Sequence, residues 1–138
     1  LNIYYESKVD WRTSSDILRA HPEFHDRPRY DGILYSTTKG PVFGELLCLL
    51  VSKIGGKEYP LALVHPYDAA LARRPSAMDK ALGFFPVRAQ PRSRAGFIPV
   101  DSIIRGAVLV PDFDSSAYFL VHDLVDGDMF FRIKELRS

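Results

Sequence analysis

The pattern of apolar and polar positions changes character near residue 30. Before it the chain is punctuated rather than periodic. Ser14 or Ser15 followed by Asp-Ile-Leu-Arg predicts a short capped helical turn ending before Pro22, and Pro22 and Pro28 predict extended chain. From Tyr30 onward, short apolar runs alternate with turn residues. Gly32–Tyr35 reads as a strand, Ser36–Pro41 as a turn and Val42–Val51 as a long strand, too apolar on both sides to face solvent along its whole length. Ile54-Gly-Gly-Lys57 supplies the positive φ angles of a hairpin reversal, so Glu58–His65 is expected to return as the partner strand, with Pro66 ending it. Pro60 donates no ladder bond and is expected near the strand's start or with that side turned outward.

Beyond Pro66, Ala69–Lys80 predicts a connection or a single helical turn. Strands are expected at Phe84–Ala89, Phe97–Ile104, Ala107–Val110 and Tyr118–Val125. Asp126-Gly127 predicts a final reversal before a strand at Met129–Ile133. About seven short strands with almost no helical periodicity predict a mainly β fold, an antiparallel barrel or sandwich with short irregular or helical connections. Alternating βα units, and with them a nucleotide-binding parallel sheet, are absent from the pattern.

Composition adds few constraints. At 138 residues, with 46% hydrophobic and 25% charged positions, one soluble domain is expected, and no apolar run approaches the ~20 residues that span a bilayer. The chain opens at Leu1, as expected of a segment of a longer protein. The single Cys48 sits in the apolar run 46–51, where a thiol is expected to be buried and inert, and no internal disulfide can form. Net charge is +1 but unevenly distributed: seven cations stand against two anions between Leu71 and Arg105, and five anions stand alone between Asp112 and Asp128. This predicts one basic and one acidic face.

Candidate chemistry is sparse. His21 and His25 are separated by Pro22, which removes the helical spacing a metal site would use, and His122-Asp123 points its two side chains to opposite faces of a strand. Asp112-x-Asp114 and Asp126-x-Asp128 fit turns as well as they fit a cation site. No nucleophile elbow, P-loop or dinucleotide fingerprint occurs, so no enzyme, cofactor or metal is expected. Arg73, Arg74, Lys80, Arg88, Arg92 and Arg94, spaced by small residues, are candidates for phosphate contacts to DNA. Trp11, Tyr30, Tyr35, Tyr59 and Tyr67 lie near turns and are candidates for binding a protein partner, including a methylated lysine held against ring faces.

Tyr30-Asp-Gly-Ile-Leu, Phe43-Gly-Glu-Leu-Leu with its Gly-Gly turn, Ala62-Leu-Val-His-Pro66 and Phe97-Ile-Pro-Val-Asp-Ser-Ile-Ile-Arg-Gly106 together resemble the bromo-adjacent homology (BAH) domain over about residues 30–133. The chain is also similar to a segment near the C-terminus of fungal Plavaka-type, CACTA-like transposon proteins. That likeness rests on Asp10-Trp-Arg-Thr-Ser, His21-Pro-Glu-Phe-His, Pro28-Arg-Tyr-Asp31, Tyr59-Pro-Leu-Ala-Leu-Val64 and Phe97–Asp112. The resemblance implies a BAH-like barrel over 30–138 with an extension at 1–29 packed on it. It further implies a nuclear, non-enzymatic chromatin or protein-interaction module, with a histone tail or another chromatin protein as partner and DNA as the alternative. Ala62 and Val64 stand where some BAH domains carry cage aromatics, and His65 replaces their arginine, so that part of a methyl-lysine cage is missing.

Overall fold

In a computed structural model, which describes residues 1–24, 27–68, 76–111, 118–122 and 126–137, the first thirty residues form two hairpins. Strand β1 (Asn2–Glu6) pairs with β2 (Thr13–Ile17), and β3 (Ala20–Phe24) pairs with β4 (Arg27–Tyr30). The helical turn expected at Ser14–Arg19 is instead strand β2. Period two wins here because Ser14 and Asp16 turn inward, and Asp16 Oδ2 accepts the Gly106 N–H at 2.8 Å.

The main sheet begins with β5 (Gly32–Thr37), followed by β6 (Gly40–Ile54) and β7 (Lys57–Asp68). Gly55 and Gly56, at φ 57° and 77°, make the two-residue reversal between β6 and β7 as expected. Pro60 faces Val51, and β9 pairs with β7 only from Leu61 onward, so the missing N–H lies near the strand's start. Pro66 does not end β7. The strand continues to Asp68, because Pro66 still pairs opposite Gly44 and its carbonyl accepts from the Gln90 N–H at 3.0 Å.

Helix α1 (Ala77–Leu82) follows, started by a capping box in which Ser76 and Asp79 each accept from the other's backbone N–H. Then come β8 (Phe84–Ala89), a 3₁₀ turn at Arg92–Arg94, β9 (Gly96–Pro99), a second 3₁₀ turn at Val100–Ser102, β10 (Ile103–Ala107), β11 (Leu109–Pro111) and β12 (Tyr118–His122). The chain then forms helix α2 (Gly127–Arg137), where a strand was expected. Asp126 decides the difference: its Oδ1 accepts the Met129 N–H at 2.8 Å, which caps the helix start. Met129, Ile133 and Leu136, spaced i, i+4, i+7, then face the sheet.

The sheet is antiparallel, ordered β10-β5-β6-β7-β8-β12-β11, with β9 added beside β7. No hydrogen-bonded barrel closes among the described residues. Yet its end strands β10 and β11 are separated only by Val108. Seven strands laid flat would hold their ends about 29 Å apart, whereas two residues of extended chain span about 7 Å. The sheet is therefore strongly curled.

Each face supports a core. Ile33, Tyr35, Leu46, Ala62, Val64 and Ile103 pack with Ile3 and Leu18 of the N-terminal segment. Leu34, Phe43, Tyr67, Phe85, Val87 and Val121 pack with Met129 and Ile133 of α2. A β-bulge between Leu46 and Cys48 changes the pleat of β6. Leu49 follows Leu46 into the first core, and Cys48 is turned to the opposite face, exposed rather than buried.

Candidate functional site

The turn between β1 and β2 holds its shape through local bonds: Ser7 N–H donates to Arg12 O and Trp11 N–H to Ser7 O, both at 2.8 Å, while Ser7 Oγ and Asp10 Oδ1 accept from Val9 and Arg12 N–H. These bonds hold Trp11 at φ 60°, the only positive φ on a non-glycine residue among those described. A bulky side chain in that left-handed region costs about 1–2 kcal/mol. The indole gains little packing in return, since Trp11 is 68% exposed. The turn is fastened from beneath. Lys8 N–H donates to Asp128 Oδ1 at 2.7 Å, and Lys8 Nζ pairs with Glu135 at 2.8 Å.

Beneath this turn lies an ion network that joins the two ends of the chain. Arg105, only 4% exposed, donates from Nη1 and Nη2 to the two oxygens of Asp126 at 2.9 and 2.8 Å, and from Nη1 to Asp128 Oδ2 at 2.8 Å. Arg132 donates to the same Asp128 oxygen at 2.6 Å, and Asp16 lies 3.8 Å from Arg105 Nη2. The Tyr5 ring faces both guanidiniums, 4.8 Å from Arg105 and 5.7 Å from Arg132. Burial pushes the Asp126 and Asp128 carboxyls up. For Asp126 the Arg105 and Met129 donors outweigh burial, and for Asp128 the Arg132, Lys8 and Arg105 donors do, so both end below the usual carboxylate range. Burial also raises Tyr5, opposed by Arg105.

This network takes Arg105, Asp126 and Asp128 out of the basic and acidic faces expected from the charge distribution. Arg105 belongs to the cationic stretch, and Asp126 and Asp128 to the acidic one, but they neutralise one another, Arg105 and Asp128 buried and Asp126 partly exposed. Asp126-x-Asp128 is likewise neither a turn nor a cation site: one acid caps α2 and both hold Arg105. No family model matches the chain, and neither a curated protein nor a solved structure matches it significantly.

The five aromatic candidates are not gathered into a cage. Tyr35 is buried in the first core and Tyr67 in the second, where its hydroxyl donates to Glu45 Oε2 at 2.7 Å. Burial first, and then the Glu45 carboxylate, push the Tyr67 hydroxyl up. Tyr30 ends β4, Tyr59 lies toward the tip of the β6–β7 hairpin and Trp11 tops the N-terminal turn. Of the cationic candidates, Lys80, Arg88, Arg92 and Arg94 are exposed, and Arg73 and Arg74 lie outside the described residues. His25, Asp112, Asp114 and Asp123 lie outside them too. Among the described residues no group of three His, Cys, Asp or Glu side chains is placed to hold a metal ion, and no helix is long and apolar enough to cross a membrane.

Proposed function

We propose that this domain is a non-enzymatic protein-binding module, of the chromatin-associated kind implied by the BAH resemblance, and that Trp11 is its principal anchor. The supporting observation is the pairing of strain with exposure at Trp11. A position whose backbone favours glycine carries the largest side chain, and that side chain is solvated. Stability does not account for such a choice, whereas binding does, because buried tryptophans dominate the energetics of protein interfaces.

Trp11→Gly tests the reading by separating fold from function. Relief of the left-handed strain offsets the extra chain entropy of glycine, so the melting temperature is expected to hold or rise slightly. On an array of histone-tail peptides, the interaction made by the native domain is expected to weaken at least tenfold, since a buried tryptophan anchor contributes about 2 kcal/mol or more. A variant that melts markedly lower would make Trp11 a structural residue. One that binds as well as the native domain would remove it from the interface.

Direct binding of duplex DNA is the second reading, supported by the exposed Arg92 and Arg94 of the 3₁₀ turn. It predicts affinity that falls steeply between low and moderate salt and falls further in an Arg92→Ala, Arg94→Ala variant.

A further inference from the structure

The far half of the β6–β7 hairpin, together with β9, carries an apolar face that nothing among the described residues covers. Cross-strand pairing aligns Cys48 with Leu63 and Leu63 with Phe97, places Leu50 opposite Leu61, and sets Tyr59 one row nearer the tip, where Ile54 follows. These side chains lie opposite those that enter the first core, because the bulge after Leu46 reverses the pleat. Ile54 is 65% and Phe97 58% exposed. The solvent face of an antiparallel sheet is ordinarily polar. Here Ser52 and Lys57 are the polar positions among those rows. Apolar patches of a few hundred Å² on a protein surface are often functional.

Size and charge select the occupant. Two strands about 4.8 Å apart over six steps of about 3.3 Å, widened by β9 only beside Leu61–Leu63, give a plaque about 20 Å long and about 250 Å² in area. A stable complex between two globular surfaces buries about 800 Å² on each partner, so the plaque is too small to join two copies of this chain. It does match one helix, about 10 Å wide and about 13 residues long over 20 Å. Exposed cations border it: Lys57 lies opposite Ile54, and Arg92 and Arg94 occupy the turn leading into β9, none of them in an ion pair among the described residues. The like charges of a second copy would repel here, whereas acidic side chains would be attracted.

We infer that this plaque docks a single amphipathic segment of about a dozen residues from a partner protein, apolar on one face and flanked by Asp or Glu. The site is separate from the Trp11 turn and stands whether or not Trp11 is an anchor.

The test is to pan a displayed library of random fourteen-residue peptides against the whole chain and measure the best peptide by fluorescence anisotropy. The selected peptides are expected to carry apolar residues at i, i+3 or i+4 and i+7 with acidic neighbours. Affinity should fall at least tenfold in an Ile54→Ser, Phe97→Ser double variant and stay within twofold in Trp11→Gly. Both substituted side chains are exposed, so the double variant should melt within a few degrees of the native protein. The inference is overturned if no peptide is enriched, if the enriched peptides are basic, or if the double variant binds them equally well. It is also overturned if light scattering shows a native dimer that the double variant abolishes, since a second copy would then be the occupant.

Discussion

Replacing Arg105 with methionine removes the centre of the network that joins β10, the N-terminal turn and α2. Three charge-assisted bonds to Asp126 and Asp128 disappear, and Asp128, itself 4% exposed, loses one of its three donors. Removing one member of a buried ion pair costs about 3–5 kcal/mol, because its partner stays desolvated and uncompensated. The partial exposure of Asp126 and the Arg132 and Lys8 bonds kept by Asp128 place the expected loss near the lower end, about 3 kcal/mol. In a chain of this length, where 1 kcal/mol moves the midpoint by about 3–5 °C, melting should fall by about 10–15 °C. Urea titration at pH 7 measures the loss directly.

The acid dependence supplies an independent check. In the native protein both folded-state carboxyls lie below their unfolded values. Their contribution is therefore fully present above the unfolded pKa of about 4 and is lost as pH falls through the lower folded values. In Arg105→Met, Asp126 keeps only the Met129 donor and Asp128 the Arg132 and Lys8 donors, so the depression is reduced and protonation relieves the carboxyls that stay desolvated. The stability gap between the two proteins should therefore narrow steadily below pH 4. A loss under about 1 kcal/mol at pH 7, or a gap that widens in acid, would refute the assignment of Arg105 as an essential buried partner.

Substitutions at two further positions probe single features. Asp126→Ala and Asp126→Ser both break the Arg105 contacts, but serine still accepts from the Met129 N–H, so it should be about 1 kcal/mol more stable than alanine in urea titrations. Gly44→Ala should cost about 1–3 kcal/mol in the same assay, because the new Cβ would lie 2.7 Å from a Val64 methyl and 3.0 Å from both the His65 carbonyl and the Tyr35 ring.

The central hairpin was legible in the sequence because a Gly-Gly reversal between apolar runs has one common structural solution. β5 and β8 were legible for a similar reason, each being a short apolar run between turn residues. Helix α2 was not. Phe130 and Phe131 favour strands, and Asp126-Gly127 is equally good turn chemistry; the cap was visible as an acid three residues before Met129, but Arg105 decides its use from 21 positions away. The bulge after Leu46 carries no glycine to announce it, so the reversal of Cys48 and the exposed plaque beyond could not be read from alternation alone. Trp11 was marked by its nearness to a turn. Its left-handed backbone depends on bonds from Ser7 to Arg12 that the residue types do not specify.

The direct passage from β10 to β11 bears on how the fold comes apart. In a flat sheet the two outermost strands loosen independently, each end exchanging its amide protons at its own rate. Here those strands are one length of chain through Val108. A separation that starts at one margin must pull on the other, so residues 103–111 are expected to open together, which matched hydrogen-exchange rates along β10 and β11 would show.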